Sequence, residues 1–218
     1  MAKPIPVVVV GPEYCISDHP VELAIVRKAL ALTKGNFKIN DVNDNELFRM
    51  EVQWSLHDSR ILRDTAGNPI ITIRKKMRTI HSRWEVFRGD SHDKNDLLFT
   101  AVTSSCLQFK VKLNVFLAKN EKEEDPDFKL KGCFFKESCI IYTGHDKSKT
   151  IIAQMQEDTA VPSVVFEKTN FKITVNPNVD YMMVIALVII LDNIDTFVTK
   201  TIDRTDKFVN VLGSLGDS

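Results

Sequence analysis

A run of basic residues starting at position 74 is the segment of the chain best suited to binding a ligand. Arg74, Lys76 and Arg78 alternate with other residues, so in a β-strand their side chains share one face. An apolar interior would not accommodate three cations, so this face must point outward. We call these three residues the basic stripe, and their donors suit phosphate groups. The alternative is a solvated face whose charge is balanced by acids such as Glu85.

Two further cations, Arg60 and Arg63, form a second and weaker candidate site of the same kind. Anionic lipid head groups are the ligand class that such surfaces suggest. The chain as a whole carries 29 Lys and Arg against 29 Asp and Glu, with an isoelectric point near 7.0. This balance argues against a general nucleic-acid binder, which usually shows a basic excess, but it is compatible with a local basic patch.

Catalytic motifs are missing from the sequence. His57-Asp58 and His81-Ser82 bring together residue types used in acid–base catalysis, but there is no G-x-S-x-G nucleophile elbow. Neither a P-loop nor a G-x-G-x-x-G phosphate-binding loop is present. We therefore expect a protein that is not an enzyme and that uses no cofactor.

One stretch has the spacing of calcium ligands. Asp41, Asn43 and Asn45 alternate as in the opening of an EF-hand loop. The sixth position, however, is Glu46 instead of glycine, and the twelfth is Val52 instead of glutamate. We interpret the stretch as a hairpin turn closed by Asp and Asn side chains, and we expect no metal site.

The number and spacing of the cysteines indicate the redox state of the compartment in which the protein resides. Four cysteines, at positions 15, 106, 133 and 139, show neither C-x-x-C pairs nor the density of a disulfide scaffold. The apolar stretch Val7–Val10 is too short for a signal peptide. We expect reduced thiols and an intracellular protein in the cytoplasm, with association with membranes or a nuclear location as the alternatives.

The most apolar segment of the chain, YMMVIALVIIL at residues 181–191, contains no charge. As a helix it spans about 16 Å, well short of the roughly 20 residues that cross a bilayer. A helix that is apolar all round belongs in a protein centre, where Met183, Ala186, Leu187 and Ile190 would form its core. Asn176 can serve as N-cap and Pro177 as first helical residue, with the acidic residue at position 180 near the positive end of the dipole. A buried strand is the alternative, because five residues of the segment are β-branched.

Upstream of this helix, alternating segments separated by turns every 8–15 residues predict about 11 or 12 strands. Twelve strands close into a barrel about 24 Å across, and a helix is about 10–12 Å wide. The difference leaves room for one layer of inward side chains. We predict a mainly β fold, a closed antiparallel barrel of about 12 strands around a central hydrophobic C-terminal helix.

The chain divides into three parts in this prediction. Residues 1–20, rich in proline, form an extended arm with one edge strand at Val7–Val10, residues 21–195 form the barrel, and residues 196–218 form a flexible tail. Strands are also expected within Leu23–Leu32 and at Val164–Glu167. The charged loop Lys119–Asp127 is the best candidate for a disordered insert.

Several segments resemble the LURP-one-related proteins of plants. They are LAIVRKALALTKGNFKINDVNDNELFRM, LHDSRILRDTAGNPIITIRKKM, HSRWEVFRGDS and TNFKITVNPNVDYMMVIALVIILDNI. The resemblance covers residues 5–195 and implies a tubby-like fold, a 12-stranded barrel around a hydrophobic helix. One departure is Asp44, where relatives often carry glycine.

The same resemblance implies functions by analogy. That family is similar to phospholipid scramblases and to the phosphoinositide-binding tubby domain of membrane-tethered transcription regulators. Scramblases carry an acidic calcium segment before the helix, but here Asp180 is the single acid within 170–180, and a helix cap is the simpler interpretation. We expect a monomeric binding module for anionic phospholipid or phosphoinositide. A protein-interaction scaffold in plant defence signalling and a scramblase-like lipid protein are the alternatives.

Overall fold

A computed structural model of the protein describes residues 6–27, 37–53, 59–76, 82–107, 110–133, 138–144, 150–157 and 170–194. Twelve strands close into one barrel in which every neighbouring pair is antiparallel, and β1 pairs with β12 to complete it. The fold prediction is thus confirmed. The strands are β1 Val21–Arg27, β2 Phe37–Asn40, β3 Glu46–Gln53, β4 Ser59–Asp64, β5 Pro69–Lys76, β6 Arg83–Arg88, β7 Leu97–Leu107, β8 Lys110–Leu117, β9 Phe128–Cys133, β10 Ser138–Thr143, β11 Ile151–Glu157 and β12 Asn170–Val175.

Helix α1, residues 181–194, fills the barrel. Met183, Ala186, Leu187 and Ile190 are fully buried, and they belong to the same apolar cluster as the inward residues of the strands. Gly132 on β9 faces the helix, and a Cβ there would stand only 2.9 Å from the Leu191 side chain. The pattern of burial on all sides is what an uncharged helical segment requires.

The helix begins later than the sequence indicates. Its N-cap is Asp180, whose Oδ1 accepts hydrogen bonds from the backbone N–H groups of Met182 (3.0 Å) and Met183 (3.2 Å). The prediction of Asn176 as N-cap and Pro177 as first helical residue was wrong. Asn176 instead continues the β11–β12 pairing, since its backbone N–H donates to the Ile152 carbonyl and its side chain to the Ile151 carbonyl.

The N-terminal residues fold around the start of the helix. The edge strand predicted at Val7–Val10 does not form, because only Val7 makes a β-bridge, parallel to Val179. The next N–H groups point at a carboxylate instead: those of Val9, Val10 and Gly11 donate to Asp180 Oδ2 at 3.0, 2.6 and 3.2 Å. We call residues 7–11 the N-terminal clamp.

Two hairpin turns repeat one geometry. In residues 41–45 and 64–68, the first Asp accepts from the backbone N–H and the side-chain amide of an Asn four residues later. These hydrogen bonds lower the pKa of both carboxyl groups, first of all through the Asn side chains. The fourth position has positive φ in both, 64° at Asp44 and 89° at Gly67, which explains the glycine that relatives often carry at the first. The EF-hand-like stretch is therefore a turn.

The charged loop at Lys119–Asp127 is ordered, contrary to the expectation of a disordered insert. Glu123 forms a bidentate ion pair with Arg83 of β6, with N–O distances of 2.7 and 2.6 Å. The hydrogen bonds that Arg83 donates to Glu123 raise the pKa of that arginine. Asp127 accepts from the Leu117 backbone and the Asn120 side chain, each at 2.9 Å. Charge-assisted hydrogen bonds of this kind stabilise the loop in spite of its high charge.

Other predicted elements lie outside the described residues. They are the strand at Val164–Glu167, the last part of the strand predicted within Leu23–Leu32, and the tail at 196–218.

Candidate functional site

The basic stripe lies on the outer face of β5, where its charge is locally balanced. Arg74 stands directly opposite Glu85 of β6, and its Nη2 donates to Glu85 Oε2 at 2.6 Å. Lys76 Nζ lies 3.4 Å from the other oxygen of the same carboxylate. Burial would raise the pKa of Glu85, but the Arg74 hydrogen bond and the Lys76 charge outweigh it and lower the pKa. One carboxylate therefore serves two cations of the stripe, and Arg78 lies outside the described residues.

Arg63 is also engaged on the outer face. Its Nε donates to Glu51 Oε2 at 3.0 Å, and its Nη1 donates to the Gly67 carbonyl at 3.1 Å. An exposed pair of this type contributes little to stability but does neutralise the charge of the arginine.

Arg60 points the other way. It lies on the inner face of β4 with Leu62, is only 9 % exposed, and places its guanidinium 5.8 Å from the centre of the Trp84 ring. The structure therefore does not bring Arg60 and Arg63 together, because they occupy opposite faces of the same strand.

A second basic surface lies elsewhere on the barrel. Lys110 and Lys112 of β8 and Lys129 and Lys131 of β9 all face outward, and we call these four residues the lysine face. Lys112 and Lys131 are direct cross-strand partners, although like charges opposite one another are destabilising. In the part of the chain that the structure describes, none of the four lysines forms an ion pair.

The strands that form and flank this surface carry no acidic residue. The sequences of β7, β8, β9 and β10 contain these four lysines and no Asp or Glu. On β10 the neighbouring outward side chains are Ile140, which is 43 % exposed, and Tyr142, whose ring lies 5.3 Å from Lys131 Nζ. The lysine face is thus a positive surface with an apolar margin, whereas each described cation of the basic stripe has an acidic partner.

The sequence did contain a signal for this surface. Both strands carry the pattern Lys-apolar-Lys, at Lys110–Lys112 and at Lys129–Lys131. Alternation puts both lysines of each pair on the outer face, but nothing local shows that the two pairs, 17 residues apart between Lys112 and Lys129, become neighbours.

Asp180, the acid before the helix, accepts hydrogen bonds from the backbone. Asp180 is fully buried and its two oxygens accept five backbone N–H groups, from the N-terminal clamp and the first turn of α1. These donors occupy the lone pairs that a calcium ion would need. Within the described ranges, no group of three or more His, Cys, Asp or Glu is arranged to hold a metal ion.

No helix formed by the described residues is both long enough and apolar enough to cross a membrane.

Comparison with known proteins agrees with this architecture. The profile of the LURP-one-related family matches residues 21–192. Arabidopsis thaliana LURP-one-related 15 is 49 % identical over 189 residues, covering 86 % of each chain, and LURP-one-related 1 is 45 % identical over 194 residues, covering 88 % of this chain and 85 % of its own. A crystal structure of an Arabidopsis thaliana protein superposes with a TM-score of 0.67 at 42 % identity, covering 86 % of this chain and 98 % of that one. The match extends over the barrel and the central helix, and the chain belongs to the LURP-one-related family.

Proposed function

We propose that the protein is a non-enzymatic, tubby-like module that docks on anionic phospholipid head groups through the lysine face. The observation that supports this is four lysines on adjacent strands without an acidic partner among the described residues. Two of them oppose each other directly, which costs stability unless an anion lies between them. The basic stripe is the weaker candidate, because Glu85 already holds Arg74 and Lys76.

The expected affinity is modest. A lysine near an anionic membrane surface contributes on the order of 1 kcal/mol, so four contribute about 4 kcal/mol. On its own that corresponds to a dissociation constant of about 1 mM. Ile140, an exposed apolar residue beside the lysines, adds apolar contact with the membrane surface. Binding should therefore be reversible and lost as salt is raised.

The orientation on the membrane follows from the charge distribution. The Lys119–Asp127 loop, which joins β8 to β9 at the end of the barrel where α1 begins, contains five acids and two lysines. A negative surface repels this loop and attracts the lysine face. The barrel would lie on its side, with the lysine face toward the bilayer.

Vesicle flotation tests the proposal. Wild-type protein should float at low salt with vesicles containing phosphatidylserine or phosphatidylinositol phosphates, and not with phosphatidylcholine alone. The double variant Lys112→Gln with Lys131→Gln removes two positive charges. It should lose about 2 kcal/mol of binding free energy, which weakens the affinity roughly 30-fold. The matched control is Lys119→Gln with Lys122→Gln, the same chemical change on exposed lysines of the acidic loop.

Three outcomes would overturn the proposal. Equal loss in both double variants would show non-specific charge attraction. Loss only in Arg74→Gln with Lys76→Gln would move the site to the basic stripe. Wild-type protein that ignores anionic vesicles at low salt would exclude lipid docking, and a protein partner, as in a defence-signalling scaffold, would then be the function to pursue.

A further inference from the structure

Four polar side chains point into the barrel at the end opposite the start of α1. They come from four consecutive strands: Arg60 from β4, Lys75 from β5, Trp84 from β6 and Thr103 from β7. Each is two residues from a buried core residue of its own strand, respectively Leu62, Ile73, Val86 and Ala101, and so shares the inner face.

The strand register makes these four residues one cluster. Lys75 stands directly opposite Trp84, and Trp84 stands opposite Ala101, so Thr103 is its diagonal neighbour. Arg60 pairs with Ile73, which makes it diagonal to Lys75. Diagonal neighbours in a sheet are about 7–8 Å apart, within reach of long side chains.

Two cations lie at the Trp84 ring. The Arg60 guanidinium is 5.8 Å and the Lys75 ammonium 5.7 Å from its centre. Contact with the aromatic face stabilises positive charge here, next to the apolar core residues Leu62, Ile73, Val86 and Ala101.

Two buried hydrogen-bond donors in the cluster have no acceptor. Trp84 Nε1 and Thr103 Oγ1 are inaccessible to solvent, and neither has a hydrogen-bond partner among the residues described. Native structures rarely leave such groups unmatched, and each exception calls for an explanation. The two carboxylates within the described β4–β7 strands lie elsewhere: Asp64 is at the other end of β4, and Glu85 is on the outer face with Arg74.

We propose that this cluster, the inner-mouth site, binds one phosphate group, either free or as a phosphomonoester. Two cations, a hydroxyl and an indole N–H approach from four strands, which suits the several acceptor oxygens of a tetrahedral dianion better than the two of a carboxylate. Lys75 and Thr103 are partly exposed while Trp84 is 2 % exposed, so the phosphate would enter from this end of the barrel and stop at the indole. The site lies inside the barrel and is separate from the lysine face outside it.

The fluorescence of Trp84 can itself report phosphate binding. The chain has two tryptophans, and Trp54→Phe leaves Trp84 as the single one. Titrating this variant with sodium phosphate at constant ionic strength should change its fluorescence in a saturable way, with sodium chloride causing none. Calorimetric titration of the wild-type chain measures the same dissociation constant for phosphate without the Trp54 substitution.

Lys75→Met removes the charge and keeps the length of the side chain, and should weaken phosphate binding about tenfold or more, as expected for a hydrogen bond to a charged group. Lys76→Met is the matched control, because the same change one residue later faces outward and should leave the constant unaltered. Thr103→Val, which keeps shape and loses the hydroxyl, should weaken binding about 2–10-fold.

Two further probes distinguish the sources of the phosphate. A soluble inositol phosphate that saturates the signal points to a free metabolite. Vesicles of phosphatidylinositol 4-phosphate that give the signal when the soluble compound does not point to a lipid. No saturable change with any probe, or equal weakening by Lys75→Met and Lys76→Met, would overturn the inner-mouth site without bearing on the lysine face, whose test uses other residues.

Discussion

The most informative perturbation of the fold is Asp180→Asn. The carboxylate joins residues about 170 positions apart, since Oδ2 accepts from the N-terminal clamp and Oδ1 from the first turn of α1. Asparagine keeps an oxygen for the helix cap, which it fills as well as aspartate does. Its NH2 group, however, would face three N–H donors. The substitution therefore isolates the clamp from the cap.

The expected cost follows from these three donors. Leaving a buried N–H without an acceptor costs about 1–3 kcal/mol. Taking the low end, because the partly exposed Val9 can reach water, Asp180→Asn should destabilise the fold by about 3–4 kcal/mol. The total free energy of unfolding of a domain is about 5–15 kcal/mol, so a loss of this size is severe. The melting temperature should fall by roughly 10 °C, at about 2–4 °C per kcal/mol for this chain length.

Urea unfolding followed by tryptophan fluorescence measures this cost. Asp18→Asn makes the same chemical change on an exposed carboxylate that accepts a hydrogen bond from the Ser17 hydroxyl. This variant should stay within about 0.5 kcal/mol of wild type in its free energy of unfolding. Deleting residues 1–11 removes the three donors, so in that background Asp180→Asn should cost less than about 1 kcal/mol. A cost that is the same with and without residues 1–11 would refute the clamp.

Three further predictions concern the core, the thiols and the basic stripe. Ala186→Asp would bury an unpaired carboxylate at a cost of several kcal/mol and should yield aggregate, as should truncation before Asn176, whereas Ala186→Gly should cost about 1 kcal/mol in thermal melts. Burial raises the pKa of Cys139 to about 12, so iodoacetamide at pH 8 should leave it unmodified until urea is added, and unfolded protein should show four reduced thiols by mass spectrometry. Because the pKa of Glu85 is lowered from 4.5, its contribution to stability is present above that pH and lost below it; Glu85→Gln should flatten the stability–pH curve at the acid end.

The barrel and its helix could be predicted because their signals are local. Eleven uncharged residues and regular alternation do not depend on distant partners. The start of the helix could not, since Asn176-Pro177 is the stronger local signal and Asp180 is selected by N–H groups of the N-terminal clamp. A capping rule applied within one segment has no access to donors that arrive from the other end of the chain.

For the charged residues, too, some positions could be predicted from local sequence and others depend on the assembled barrel. Excluding cations from an apolar interior correctly places Arg74 and Lys76 outside. The same rule is wrong for Arg60, because the mouth of the barrel and the Trp84 ring together make an inward cation tolerable. The lysine face was missed because it arises from the β8–β9 register and from the lack of acids around it, two properties of the assembled sheet.

Closure of the barrel by β1 and β12 has a consequence for biosynthesis. Roughly 150 residues separate these two strands, and at about 5–20 residues per second a ribosome needs about 8–30 s to synthesise the intervening chain. During that time Leu23 and Ile25 of β1 have neither their final neighbour nor the helix that covers them, because α1 is made after β12. A ribosome stalled near residue 175 would hold nearly the entire apolar inner surface of the sheet exposed to water. Nascent chains of this protein should therefore depend on chaperones until α1 has been made.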